Sequence, residues 1–111
     1  MEPLDAWRAA LIKILEDYAS IPYSHGDFRN AVVRDREGDH YLLVESGWDH
    51  GVRAHGALIH VDIIDGKLWI QHDGTERGIA DELVAAGVPR DRIVLGFRPP
   101  QVRRYTDFAV A

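Results

Sequence analysis

The sequence contains no cysteine, and this absence excludes disulfide scaffolds, cysteine-ligated zinc and thiol nucleophiles together. It also has no long hydrophobic run: the longest apolar stretches are four or five residues, far short of the roughly 20 that a membrane helix needs. The first residues, MEPLDAW, carry acids where a secretory signal would carry basic residues. We therefore expect a cytoplasmic protein with no membrane segment.

Recognisable motifs for nucleotide binding and acyl transfer are absent as well. The sequence has no P-loop, no GxGxxG dinucleotide fingerprint and no GxSxG nucleophile elbow. Its 111 residues, 46% of them hydrophobic and 28% charged, fit one globular domain that spans residues 1–111. We predict that this domain is not an enzyme and has no catalytic residues, no resident metal and no cofactor.

Charge is distributed unevenly along the chain, whose net charge is −5. Residues 1–89 hold eight basic and sixteen acidic residues, whereas residues 90–104 hold five arginines and one acid. The acidic majority argues against wholesale DNA binding, because affinity for DNA comes largely from neutralising phosphates. The arginine-rich segment, with Arg98, Arg103 and Arg104, indicates docking to an acidic protein surface or contact with nucleic-acid phosphate.

Hydrophobic periodicity predicts helices near both ends of the chain. Apolar residues recur at steps of three and four over residues 4–18, and Pro22 disfavours helical geometry before it, so the first helix ends near Ser20. A second apolar stripe covers residues 79–84 and stops at a Gly-Val-Pro sequence. The Pro99-Pro100 pair should open a final short helix.

Between the first two helices the period shortens to two, which indicates strands. The turn sequence REGD joins the first strand to the second, and the link DHGVRAHG, residues 49–56, leads to the third. Together the elements predict an α+β fold: an N-terminal helix, a four-stranded antiparallel meander and C-terminal helices packed on one face of the sheet. The predicted strands cover residues 28–35, 40–48, 57–64 and 67–72, and residues 92–97 form a short strand or extended segment.

The Asp65-Gly66 pair predicts a type I′ hairpin turn, because both positions of that turn need positive φ. The turn sets the strand register, which makes one face of the hairpin apolar and packs it beneath a helix. The opposite face carries polar side chains around an indole, and it is either solvated or covered by a partner. The predicted pairs are Ile64 with Lys67, Ile63 with Leu68, Asp62 with Trp69, Val61 with Ile70, His60 with Gln71 and Ile59 with His72.

Two residues of the polar face have metal-ligand chemistry. His60 and Asp62 lie on the same side of one strand, because alternate side chains point the same way. If the link at residues 49–56 folds back, His55 or His50 adds a third ligand, and a metal-assisted hydrolase using His55, His60 and Asp62 is one alternative function. We favour a polar face without metal, since catalytic zinc needs three protein ligands and a supporting shell.

Aromatic and arginine side chains on the sheet predict a protein-binding surface, because indole and guanidinium groups dominate protein interfaces. The exposed sheet face, or the free edge of the first strand, also invites a symmetric contact, so we expect a homo-oligomer. The candidate partner-binding residues are Trp48, Arg53, His55, His60, Asp62, Trp69, Gln71, Arg98, Arg103 and Arg104.

Three specific strings carry a resemblance to one family. They are GWD at residues 47–49, HGALIHVDIxDGKxWIQxDGTExGIAxEL at residues 55–83 and GFxPPxVRxYTxFAVA at residues 96–111. On these strings the chain resembles the XisI family, named for a controlling factor in excision of the fdxN DNA element of filamentous cyanobacteria. The likeness covers nearly the whole chain.

The resemblance implies a non-catalytic accessory protein. XisI-like proteins act with XisH-like proteins, which are similar to endonuclease-fold proteins, while a separate recombinase cuts and rejoins the element. The function implied here is control of DNA element excision, or of a related nuclease, through protein–protein binding, with nucleic acid contacted indirectly. The resemblance supplies no catalytic residues. Direct DNA binding through the arginine-rich segment is the remaining alternative.

Overall fold

The computed structural model describes residues 3–22 and 27–111 of the protein. The α+β fold class is confirmed, but the sheet has five strands where the sequence predicted four. A 3₁₀ turn at Arg90–Arg92 precedes the last strand. In chain order the elements are helix α1 (Pro3–Ala19), strands β1 (Asp27–Asp35), β2 (His40–Asp49), β3 (Val52–Ile64) and β4 (Lys67–Asp73), helix α2 (Ile79–Ala85), strand β5 (Ile93–Leu95) and helix α3 (Pro100–Arg103).

The first four strands form the predicted antiparallel meander, and β5 adds to β4 in parallel. A parallel neighbour requires a crossover connection, which α2 supplies. The segment predicted as a short strand or extended chain therefore contains β5, one of the two edge strands of the sheet.

The hydrophobic core lies between the sheet and helices α1 and α2. The apolar stripe of α1 is buried at Leu11 and Leu15, and α2 contributes Ile79 and Leu83. None of the helices in residues 3–22 and 27–111 is long and apolar enough to cross a membrane. The sheet residues of the core are Tyr41, Leu43, Ile59, Val61, Ile63, Leu68, Ile70 and Ile93.

The β3–β4 hairpin turns at Asp65 and Gly66, whose φ values of 50° and 76° confirm the predicted turn. The four predicted pairs nearest the turn are observed, from Ile64–Lys67 to Val61–Ile70. The next two predictions, His60 with Gln71 and Ile59 with His72, are wrong: His60 pairs with His72 and Ile59 with Asp73. Gln71 is an extra residue in a β-bulge, which strict alternation along a strand does not reveal.

The predicted link at residues 49–56 is also wrong. His50 and Gly51, with φ values of 51° and 79°, form a two-residue turn, and β3 begins at Val52. A histidine at positive φ is uncommon, so the sequence signal for this turn was weak. As a result Arg53 and His55 lie in a strand.

Candidate functional site on the outer face of the sheet

The outer face is the side of the sheet opposite α1 and α2. Because directly paired residues share a face, the strand register arranges its side chains in five rows. The rows are Asp35, His40, Asp62, Trp69 and Val94; Val33, Leu42, His60 and His72; Ala31, Val44 and Ala57; Arg29, Ser46 and His55; and Asp27, Trp48 and Arg53.

A cluster of His40, His60 and Asp62 occupies one end of the outer face. His40 stands directly opposite Asp62 across β2 and β3, and its Nδ1 lies 2.7 Å from Asp62 Oδ1. His60, two residues before Asp62 on β3, places Nε2 2.8 Å from the same oxygen. The other carboxylate oxygen accepts a hydrogen bond from Gln71 Nε2 at 3.3 Å. The cluster is graded in exposure, since the Asp62 side chain is 13% exposed and that of His40 53%.

Electrostatics favour the ionised form of Asp62. Burial alone raises the pKa of this carboxyl and is the largest single influence, but hydrogen bonds from His40 and His60, together with their charge, hold the pKa below its usual value. The pKa of His40 is raised, first by its hydrogen bond to Asp62 and then by the charge of that carboxylate. Asp62 is therefore an anionic group at neutral pH, and two imidazole nitrogens face it.

The other end of the outer face carries the Trp48–Arg53 pair. The Arg53 guanidinium stacks 5.2 Å from the centre of the Trp48 ring, and Trp48 remains 50% exposed. These two side chains line a cavity of about 280 Å³. Its other lining residues are Asp27, Arg29, Ser46 and Gly47. An exposed indole beside a guanidinium and a shallow cavity has the composition of an interface hot spot.

The structure places most of the predicted site residues of the sheet at these two ends. His60, Asp62 and Gln71 lie together as predicted, and Trp69 pairs with Asp62 beside them. His55 does not join them: it pairs with Ser46, and five residues of strand place it roughly 15 Å from His60. The predicted ligand set of His55, His60 and Asp62 is therefore wrong.

Sequence reasoning missed His40. Its position at the first residue of β2, directly after the REGD turn, marks it as a strand-end polar residue. Nothing in the local pattern links it to Asp62, which is 22 residues further along the chain. The register of β2 against β3 brings them together.

The arginines of the arginine-rich segment stack on aromatic rings of the same chain. Each of its five arginines lies over a ring: Arg90 on Phe108, Arg92 on Trp7, Arg98 on Phe97, Arg103 on Trp69 and Arg104 on Tyr105. Among the candidate partner-binding residues, Arg98 and Arg104 are exposed and remain available to a partner.

Arg103 instead holds the end of the chain onto the sheet. Its Nε donates to the carbonyl oxygens of Leu95 and Arg98 at 3.2 and 2.9 Å, and its ring contact covers Trp69 at 5.1 Å. Its two Nη atoms reach the carbonyl oxygens of Gly96 and Val110. Trp69 and Arg103 thus pack against each other within the chain. They are therefore less accessible to a partner than Trp48 and Arg53.

The neighbouring arginines allow a matched test of this role. Replacing Arg103 by alanine should lower the free energy of unfolding by about 2 kcal/mol, because hydrogen bonds from a charged donor and a ring contact are lost. Replacing Arg104, which is exposed and stacks on Tyr105, should change it by less than about 0.5 kcal/mol. Urea unfolding measures both values. Equal losses of unfolding free energy in the two variants would contradict the structural role of Arg103.

Comparison with known proteins gives one consistent result. A protein-family model described as XisI protein matches residues 1–110. The fold is similar to the crystal structure of a XisI-like protein from Anabaena variabilis, with a TM-score of 0.89 and 42% identity, over 97% of this chain and 99% of that chain. It is also similar to the fdxN element excision controlling factor XisI from Anabaena variabilis, with a TM-score of 0.82 and 34% identity, over 97% of this chain and 98% of that chain. No curated protein matches the chain significantly.

Proposed function

We propose, because the chain belongs to the XisI family, that it acts as a non-catalytic factor controlling excision of a DNA element. It does so in the cytoplasm by binding a XisH-like, endonuclease-fold protein, and it contacts nucleic acid indirectly. The similarity to two Anabaena proteins supports a cyanobacterial origin. In this proposal the partner binds the outer face through protein–protein contacts.

The observation that carries the proposal is the exposure of apolar and aromatic side chains on the outer face. Val33 is 44% exposed and Trp48 50% exposed, and Leu42 and Val44 between them are partly exposed. Helices α1 and α2 pack on the other side of the sheet, and α3 meets the outer face at Trp69. An apolar strip ending in a Trp–Arg pair is typical of a surface that a partner covers.

Charge supports a nucleic-acid-handling protein as that partner. The chain carries a net charge of −5, and a protein that handles DNA presents a basic surface to neutralise phosphates. Opposite net charges speed the encounter and discriminate against wrong partners. The outer face then supplies the short-range contacts that keep the complex together.

Co-purification with the XisH-like partner tests the proposal. The two chains, co-expressed with a tag on the partner, should elute together from a sizing column at micromolar concentration. Replacing Trp48 or Arg53 by alanine should weaken the complex at least tenfold, as truncation of a hot-spot residue costs about 2 kcal/mol or more. Light scattering of the isolated chain, for which we expect a homo-oligomer, gives the reference mass.

The controls are exposed residues on the helical side. Lys13 lies on α1 and Arg77 two residues before α2, and alanine at either position should leave the complex intact. No complex at micromolar concentration, or equal weakening by the control variants, would refute docking through the outer face. Direct DNA binding through Arg98 and Arg104 predicts instead a mobility shift of DNA by the isolated chain, lost steeply as salt increases.

A further inference from the structure

The His40–His60–Asp62 cluster has the composition and spacing of a metal site. We propose that these three residues bind one divalent transition-metal ion, with Zn²⁺ or Co²⁺ as the best fit. The proposal goes beyond the docking function, because the site lies within one chain and requires no partner. The sequence predicted a face without metal because only two candidate ligands, His60 and Asp62, lay side by side. The structure adds His40 as the third.

Strand geometry places the three ligands without help from flexible loops. His60 and Asp62 alternate on one side of β3, and His40 is the direct partner of Asp62 on β2. One ligand atom from each residue lies within 4.8 Å of the other two. Two paired strands in the middle of a sheet therefore fix the Cα positions of the whole set.

The spacing needs little adjustment to hold an ion. Bonds of about 2.0–2.1 Å in tetrahedral geometry put ligand atoms about 3.3 Å apart. The two nitrogen-to-oxygen distances to Asp62 Oδ1 are 2.7 and 2.8 Å, so each imidazole must withdraw by roughly half an ångström. His40 and His60 have room to do so, since their side chains are 53% and 32% exposed.

The donor set selects the kind of ion. Two imidazole nitrogens and one carboxylate oxygen suit Zn²⁺, Co²⁺, Ni²⁺ or Fe²⁺, whereas Mg²⁺ and Ca²⁺ prefer all-oxygen sites. Gln71 Nε2 donates to the second oxygen of Asp62 and orients the carboxylate, which is the supporting contact that metal sites use. The three protein ligands leave at least one coordination position, on the solvent side, for water or another ligand.

Titration of the metal alone tests the site. The chain, freed of any purification tag and stripped with a chelator, should bind one equivalent of Zn²⁺ by calorimetry, and bound Co²⁺ should give visible absorption bands. His40→Ala and Asp62→Asn should each weaken binding at least tenfold, and Gln71→Ala should weaken it by about tenfold as a supporting residue. Loaded wild-type protein should also melt at a higher temperature than the metal-free protein.

His55→Ala is the matched control, because this histidine lies on the same strand and the same face but outside the cluster. It should bind Zn²⁺ like the wild type. Absence of one-to-one binding, or variants of the cluster that bind as tightly as His55→Ala, would overturn the proposal.

A second readout on the wild type covers the case in which a cluster variant fails to fold. Paramagnetic Co²⁺ should broaden the ring-proton resonances of His40 and His60 and leave those of His55 sharp. Uniform broadening, or none at one equivalent, would overturn the site. Both measurements use the isolated chain, so a failed co-purification with the XisH-like partner would not alter their outcome.

Discussion

Replacing Arg8 by alanine is expected to lower the free energy of unfolding by about 3 kcal/mol, because it leaves a partly buried carboxylate without its ion-pair partner. Arg8 is 8% exposed, and its Nε and Nη2 atoms donate to the two oxygens of Asp39 at 3.0 and 3.2 Å. Its Nη1 also donates to Asp5 at 2.7 Å. Arg8 thus joins α1 to the turn between β1 and β2.

Asp39 makes this ion pair structurally important. Its carboxylate also accepts a hydrogen bond from the Tyr41 hydroxyl at 2.9 Å, and its carbonyl accepts one from the Ile63 amide at 2.9 Å. Asp39 adopts a φ of 57°, so the turn it closes is sensitive to loss of those contacts. Without Arg8 the Asp39 carboxylate loses two hydrogen bonds and a counter-charge together.

The exposed ion pair on the same helix is the control. Lys13 and Asp17 lie 2.6 Å apart with side chains 73% and 60% exposed, and Lys13→Ala should leave the free energy of unfolding almost unchanged because water screens the pair. Urea unfolding at neutral pH measures both variants. If Arg8→Ala lowered the free energy of unfolding no more than Lys13→Ala does, burial would not strengthen the Arg8–Asp39 ion pair.

The ion pair also predicts sensitivity to acid. Burial raises the pKa of Asp39 and is the largest single influence, but hydrogen bonds from Arg8 and Tyr41 and the charge of Arg8 hold the pKa below its usual value. A depressed folded-state pKa adds stability above the unfolded-state pKa, and that stability is lost as pH falls through the folded value. The difference in the free energy of unfolding between wild type and Arg8→Ala should therefore become smaller at acid pH.

The second large effect is expected at Gly47, where β1 and β2 approach closely. A Cβ atom built on Gly47 would clash with the carbonyl oxygen of Asp27 and lie 2.7 Å from the Cα of Phe28. These are backbone atoms of the paired strand, which cannot move without separating the strands. Gly47→Ala should therefore lower the free energy of unfolding by about 3 kcal/mol, at the upper end for overpacking.

Gly56 provides the matched control for that substitution. It lies inside β3, has no atom within 4 Å of a built Cβ and does not need positive φ. Gly56→Ala should be neutral or stabilising by up to about 1 kcal/mol, because alanine loses less backbone freedom on folding. Thermal unfolding compares the two variants. Similar melting temperatures would mean that β1 shifts to accommodate the new methyl group.

Features whose signals are local in the chain could be predicted from the sequence. The apolar stripe of α1 and the stop imposed by Pro22 predicted a helix that is observed at Pro3–Ala19. The Asp65-Gly66 turn predicted the register of the four nearest pairs, and with it the burial of Ile70 and the placement of Trp69 on the other face. Two of the three residues of the cluster, His60 and Asp62, followed from simple alternation along a strand.

The remaining strand register depends on two β-bulges, whose positions are set by tertiary packing. Gln71 is an extra residue in β4, so the predicted pairs beyond Val61 slipped by one. In β3, Leu58 is the extra residue between the pairs Val44–Ala57 and Leu43–Ile59. Counted from the His50-Gly51 turn without that extra residue, His40 would stand opposite Val61, a core residue. With it, His40 stands opposite Asp62.

The sequence by itself determined the fold class and the polar character of the outer side of the β3–β4 hairpin, because periodicity and turn residues act over a few neighbouring positions. Its specific strings identified the family. The tertiary structure decided which polar residues meet. A single bulge shifts every later pair along a strand by one residue, and its position depends on packing across the sheet. The contact of His40 with Asp62 and the position of Arg103 over Trp69 both arise from such long-range packing.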